Sequence, residues 1–222
     1  MFFSLCSATL QKNAFYKEFF MMGLFRKAIL GLCFVGSLAL ADTTAELKAK
    51  IAKYSALQSD FSQVVKRGNG EVVSNSEGTL ALARPDSLMM HTYSPDEQYL
   101  FTRGNDVYFF DPFINQVTIF DKKDLYTSPF MLLTSDSEAV WSGYTVIRKG
   151  DEYTLTPKKP GEFTRIALVF TKNGDISSIS ITLKDGNTNT YTLKNISYHV
   201  DADAFIYHVP EDAQIDDERK SN

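Results

Sequence analysis

Two hydrophobic periods divide the chain. Leu47, Ile51, Tyr54 and Leu57 recur at helical spacing, while Lys48, Lys50 and Lys53 fall mostly on the other side. Thr43-x-x-Glu46 forms a capping box, so the pattern predicts an amphipathic helix beginning there. From Ser59 the period becomes two. Phe61, Gln63 and Val65 alternate with Asp60, Ser62 and Val64, which predicts a strand over 59–66 ended by Arg67-Gly68-Asn69-Gly70. Strand-like runs then recur roughly every ten to twelve residues, each bounded by turn chemistry. The first series covers 78–83, 87–93, 98–102, 107–111 and 116–120. The second covers 144–148, 152–156, 163–171, 175–184, 190–198 and 205–209. Ile179, Ile181 and Leu183 against Ser178, Ser180, Thr182 and Lys184 show the alternation of an antiparallel sheet with one dry face.

Residues 121–141 break this rhythm. Ser128-Pro129 precedes Phe130-Met131-Leu132-Leu133, which predicts a short helix with Pro129 as its first residue; a second is predicted near 137–142. About a dozen strands exceed what a flat sheet comfortably holds. The predicted fold is mainly β with an α lid: an incomplete, strongly curved antiparallel β-barrel, one opening covered by short helices.

The N-terminus reads differently. Arg26 and Lys27 precede an apolar run over 28–40 that ends in Ala39-Leu40-Ala41 before Asp42. This is the pattern of a secretory signal with cleavage expected after Ala41. A start at Met21 or Met22 fits that pattern better than Met1. Cys33 within the run raises a lipid-anchored alternative, but Leu32 is a poor neighbour for it. The expected organisation is therefore an extension plus cleavable signal over 1–41 and a single domain over 42–222. Of the 23 basic and 27 acidic residues, four and one fall before Asp42, leaving a mature net charge of −7. No basic excess is available to neutralise phosphates, which argues against nucleic acid as a partner. Both cysteines, Cys6 and Cys33, would be removed, so the exported domain has to rely on a packed core.

Catalytic motifs are missing. There is no G-x-S-x-G elbow, phosphate loop or H-E-x-x-H helix, and His91, His199 and His208 lack ligand spacing. Asp201-x-Asp203 and Asp216-Asp217-Glu218 lack the glycine and distal glutamate of a calcium loop and read as a solvated turn and tail. No catalytic residue, metal or cofactor is expected. What remains is an aromatic surplus between Phe101 and Trp141. Arg84-Pro85 also remains: its arginine ends an apolar strand and brings five donors to a place where they need acceptors.

An ordered set of pieces resembles the periplasmic outer-membrane lipoprotein carrier (LolA) family. The pieces are Arg84-Pro85, Asp96-Glu97, Phe110-Asp111-Pro112-Phe113-x-x-Gln116-Val117-Thr118, Pro129-Phe130-Met131-Leu132-Leu133, Leu155-Thr156-Pro157-Lys158 and the closing Asp216-Asp217-Glu218-Arg219-Lys220. The resemblance implies a monomeric, non-enzymatic carrier in the periplasm whose lid covers an apolar cavity for lipoprotein acyl chains. Its implied partners are acylated lipoproteins as cargo, an inner-membrane ABC-type release complex and the outer-membrane receptor lipoprotein LolB. Stable membrane insertion is not implied. Arg84 takes the role of a lid latch, with main-chain acceptors expected at Ile51, Phe130, Leu133 and Thr134. The expected cavity lining is Leu47, Ile51, Phe61, Leu80, Leu82, Phe101, Phe109, Phe130, Leu133 and Ile181. A register slip of one residue would reverse every strand choice in that set.

The match departs from the family after Arg84-Pro85, where Asp86-Ser87-Leu88-Met89-Met90 stands in place of the frequent aromatics. Leu88 and Met90 are the candidate partner-facing edge there. Three other readings stay open: the receptor LolB, which needs an anchored cysteine; a sensor of mislocalised lipoproteins; and a periplasmic hydrolase with a Ser–His pair in the cavity.

Overall fold

The computed structural model describes residues 36–125 and 129–219. Its frame is one twelve-stranded sheet, with strands β1 (Ala56–Lys66), β2 (Val72–Ala83), β3 (Ser87–Ser94), β4 (Gln98–Arg103), β5 (Asp106–Asp111), β6 (Gln116–Asp121), β7 (Tyr144–Lys149), β8 (Glu152–Pro157), β9 (Phe163–Phe170), β10 (Ile176–Leu183), β11 (Thr188–Ser197) and β12 (Gln214–Asp217). Their order is β12-β6-β5-β4-β3-β2-β1-β11-β10-β9-β8-β7, so the sheet does not close on itself. All neighbours are antiparallel except β12, which lies parallel to β6. Among the described residues three α-helices accompany it: α1 (Gly36–Ile51), α2 (Pro129–Thr134) and α3 (Glu138–Trp141). The predicted curved, incomplete barrel with few helices is the architecture observed.

Register sorts each strand into two faces. Leu57, Ser59, Phe61 and Gln63 of β1 oppose Leu80, Leu82 and Gly78 of β2, and those oppose Leu88 and Met90 of β3. With Leu155, Ile166, Leu168 and Ile179 they form the concave face, onto which Leu47, Ile51 and the whole of α2 pack. Gly78 makes this packing fit: a Cβ there would lie 2.7 Å from the Phe61 ring and 2.2 Å from the His91 carbonyl oxygen. Only a strand glycine leaves room for so close an approach. The convex face has its own apolar group of Phe110, Val117 and Ile119, packed against Tyr99, Tyr108, Tyr207 and Val209.

Several elements differ from expectation. Helix α1 runs from Gly36 through the expected cap at Thr43 and stops at Ile51. Leu57 belongs to β1, where pairing with Leu82 on one side and the β11 ladder beyond overrides its helical spacing. Tyr54 leaves the helix to stack on Tyr198 at 3.4 Å between ring centroids. No strand forms over 205–209; a 3-10 turn covers Ala202–Phe205, and Tyr207 and Val209 pack on the sheet surface without joining a ladder. The acidic segment read as a solvated tail contains β12, which gains backbone partners along β6. The part of the expected signal before Gly36 and the closing Lys220 lie outside the described residues.

Candidate functional site

Helix α2 is the centre of the site. Its run Pro129-Phe130-Met131-Leu132-Leu133 is apolar on every side, Thr134 closes it, and all six residues are buried. A helix like this is stable only when covered all round. Phe130 meets Tyr191 edge-on at 4.9 Å, and Tyr191 in turn meets Phe61 at 5.7 Å. Burial, and a hydrogen bond with Gln63 that works against it, leave the Tyr191 hydroxyl titrating above the normal tyrosine range. Helix α3 follows, and its Trp141 donates from Nε1 to the Ser135 carbonyl at 2.9 Å.

The C-terminal end of α2 is polar, and Arg84 dominates it. The guanidinium leaves the end of β2 and donates to three main-chain carbonyls: Thr134 at 3.0 Å, Leu133 at 3.3 Å and Tyr54 at 3.3 Å. It also pairs with the Asp136 carboxylate. Its side chain is 16% exposed, so these bonds form largely out of water. They join the start of the sheet, the chain after α1 and the C-terminal end of α2, whose last carbonyls need donors. Leu133 and Thr134 are two of the four expected acceptors. In place of Ile51 and Phe130 the guanidinium reaches Tyr54, because α1 ends early and turns the Tyr54 carbonyl toward it. Asp136 was not anticipated, since an acid in a polar loop carries no sequence signal of its partner.

Two further contacts hold α1. Glu46 accepts from the Tyr153 hydroxyl at 2.8 Å and from Arg148 at 2.5 Å, and these bonds hold its carboxyl below the usual range. Burial, reinforced by Glu46, pushes the Tyr153 hydroxyl up to about 12. Lys48 bonds Glu138 of α3 at 2.5 Å.

Most of the expected lining lies together. Leu47, Ile51, Phe61, Leu80, Leu82, Phe130, Leu133 and Ile181 all belong to the concave core. Phe109 shares that side by register, being paired with Leu100. Phe101 does not: it pairs with Met89 and Tyr108 on the convex side, stacks on Tyr108 at 5.1 Å and is 0% exposed. The sequence alternation identified its strand but could not say which face was concave. Leu88 and Met90 are 0% and 2% exposed in the concave core of an interior strand. In this arrangement they present no exposed edge.

The free space beside Arg84 is about 30 Å³, lined by Ile51, Leu57, Leu82, Arg84, Leu133 and Tyr198. That is room for water but not for an alkyl chain. A large apolar ligand would need α2 to move before it could enter there. A second cleft of about 230 Å³ opens on the convex face between Tyr108, Ile119, Val209 and Ile215. Among the described residues no cluster of three or more His, Cys, Asp or Glu could hold a metal, and no helix is long and apolar enough to cross a membrane.

The model of the family described as outer membrane lipoprotein carrier protein LolA matches residues 52–208. The chain belongs to the LolA family. An outer-membrane lipoprotein carrier protein of Pasteurella multocida (strain Pm70) is 36% identical over 190 residues, which cover 84% of this chain and 93% of that protein. The protein of the same name from Yersinia pestis bv. Antiqua (strain Angola) is 35% identical over 201 residues, covering 87% and 100%. The family match over 52–208 includes Arg84 and helix α2. At the level of fold alone, a crystal structure of an uncharacterized conserved protein from Thermus thermophilus superposes with a TM-score of 0.50. Its identity is 11%, over 78% of this chain and 98% of that one.

Proposed function

We propose that this LolA-family chain carries lipoproteins by sheltering their acyl chains between the concave sheet face and the lid. The observation that supports the reading best is the combination of a buried lid helix, apolar up to its last residue Thr134, with a polar latch at its rim. A buried helix whose end is held by one side chain can be released by the loss of that side chain's few bonds, which suits a site that opens and closes.

The magnitudes are consistent. Burying a methylene is worth about 0.8 kcal/mol, so a sixteen-carbon chain exposed to water costs roughly 12 kcal/mol. Two or three such chains cannot cross an aqueous compartment unshielded. Acyl chains displace the lid because they bind the open state better, which is a population shift rather than a chemical reaction. No covalent step is involved, and Arg84 acts by holding the empty site closed.

In this reading the segment over 1–41 directs export and is removed after Ala41, leaving the single domain 42–222 in the periplasm as a monomer. It accepts cargo from an inner-membrane ABC-type release complex and passes it to the anchored receptor LolB. The test is incubation of the chain beginning at Asp42 with lipoprotein-loaded inner-membrane vesicles and ATP, followed by mass spectrometry of the soluble fraction. A one-to-one soluble complex with triacylated lipoprotein is expected. Lipoprotein remaining in the vesicles would overturn the proposal.

A further inference from the structure

Among the described residues one fully buried side-chain polar atom, on the concave face, lacks a hydrogen-bond partner. Gln63 accepts from the Ser76 hydroxyl at 3.0 Å and shares a hydrogen bond with Tyr191. The Thr102 hydroxyl accepts from the Leu88 N–H at 2.9 Å. The exception is Ser59, which is 2% exposed and whose Oγ has no hydrogen-bond partner among the described residues. A buried hydroxyl without a partner is destabilising, and alanine at the same position would avoid the penalty.

Its position gives the orphan a use. In β1 the buried residues are Leu57, Ser59, Phe61 and Gln63, so Ser59 points to the concave side. Leu57, two residues before it, lines the small cavity at the latch, and Phe61, two residues after it, packs on Tyr191, which also touches lid residue Phe130. Ser59 therefore lies under the lid, one step inward from the present free space. The β1–β11 ladder is irregular at this point: Gln58 pairs with Ser197 and Asp60 with Lys194, leaving two β11 residues opposite Ser59. One of them, Asn195, has φ +53°. Bulges of this kind re-aim side chains and occur preferentially beside functional sites.

We infer that Ser59 is a polar anchor for the cargo lipid, its hydroxyl donating to an acyl ester carbonyl once the lid lifts. This rests on the carrier reading and adds a preference to it: ester-linked diacyl lipids over ether-linked dialkyl lipids of equal chain length. An apolar pocket with one placed donor fixes depth and orientation, because hydrocarbon alone could slide. The alkyl chains supply most of the affinity in both lipids. The hydrogen bond separates them by roughly 3- to 10-fold, the ratio a single neutral bond supports.

The experiment uses two synthetic lipopeptides, one with a dipalmitoylglyceryl-cysteine head and one with its dihexadecyl ether counterpart. Binding is followed by the fluorescence of Trp141, the chain's one tryptophan, which sits buried beside the lid. The wild-type chain is expected to bind the ester roughly 3- to 10-fold more tightly. Ser59→Ala is expected to abolish that difference while leaving the affinity for the ether unchanged, and to raise the melting temperature of the empty protein. Equal binding of both lipids by the wild type overturns the anchor and leaves the carrier reading standing. A Ser59→Ala variant that weakens both lipids equally also overturns it, because a packing role would do that. Binding of neither lipid refutes the carrier reading itself, and the anchor falls with it.

Discussion

Under the proposed carriage Arg84 is the lid latch, and replacing it by leucine removes all of its hydrogen bonds while keeping an apolar stem at the site. Three of its four partners are carbonyls shielded from water, at 3.0, 3.3 and 3.3 Å. Hydrogen bonds from a charged donor contribute about 1.5–3 kcal/mol each when well formed, but two of these are long, so about 1 kcal/mol apiece is the fitting value. The Asp136 carboxylate is 71% exposed and adds less than about 1 kcal/mol. Loss of the whole set weakens closure by about 3 kcal/mol, a shift of roughly a hundredfold toward the open lid. Leucine regains part of this by packing against Ile51, Leu82 and Leu133, so a somewhat smaller shift still fits.

Hydrogen exchange reads that shift directly. The Ser135 amide donates to the Met131 carbonyl at 2.9 Å, across the last turn of the lid helix. In Arg84→Leu it is expected to exchange roughly a hundred times faster, with β1 and β10 amides unchanged. The same loss removes the penalty that closure places on cargo entry, so acyl ligands should bind correspondingly tighter. Arg84→Lys should fall between the two, since an ammonium cannot present the forked donors. Unchanged exchange at Ser135 in Arg84→Leu would refute the latch.

Gly78→Ala places a methyl group against the His91 carbonyl oxygen and the Phe61 ring; overpacking of this kind costs about 1–3 kcal/mol, to be read as a lowered unfolding midpoint in urea. Trp141→Phe strands the Ser135 carbonyl and leaves a gap under α3, lowering stability by about 1–3 kcal/mol with a larger effect on lid amides than on sheet amides. Hydrogen bonds from Arg219 hold Asp217 at about 2, below its ordinary 3.8. Because the folded value is the lower one, the stabilisation is complete above about pH 4 and is lost as the pH falls toward 2; Asp217→Asn should remove that part of the acid dependence of the melting temperature.

Much of the sheet was legible because period-two alternation and turn chemistry are local. The faces were less so. Around Tyr99, Leu100, Phe101 and again Tyr108, Phe109, Phe110 both sides of the strands are apolar, and alternation cannot tell the side under the lid from the side under the C-terminal segment. Phe101 went to the wrong face for that reason. Strand β12 was missed because its residues are polar and its ladder depends on a partner about a hundred residues away. At the latch, Leu133 and Thr134 were found through the family resemblance, whereas Tyr54 and Asp136 depend on where α1 stops and how the loop after α2 runs. Ser59 did carry a signal, a serine at a position whose period assigned it to the core.

The two faces of the sheet bury apolar surface in different ways, and the difference bears on transport. The convex group is covered by the segment around Tyr207 and Val209, which Arg103 ties at the Tyr207 carbonyl and Asn115 at the Asp212 carbonyl. The concave group is covered by α1 and α2, which pack on it through apolar side chains and are tied by polar groups at the rim. Under the proposed carriage, the latch contributes about 3 kcal/mol against roughly 12 kcal/mol for each sixteen-carbon chain sheltered. It is far too weak to keep cargo out or to expel it. What it sets is the state of the empty protein, whose exposed concave face would otherwise bind any available hydrocarbon. Release must then be driven by an acceptor that takes the acyl chains in competition, with closure of the lid over the vacated face adding its smaller share and opposing return.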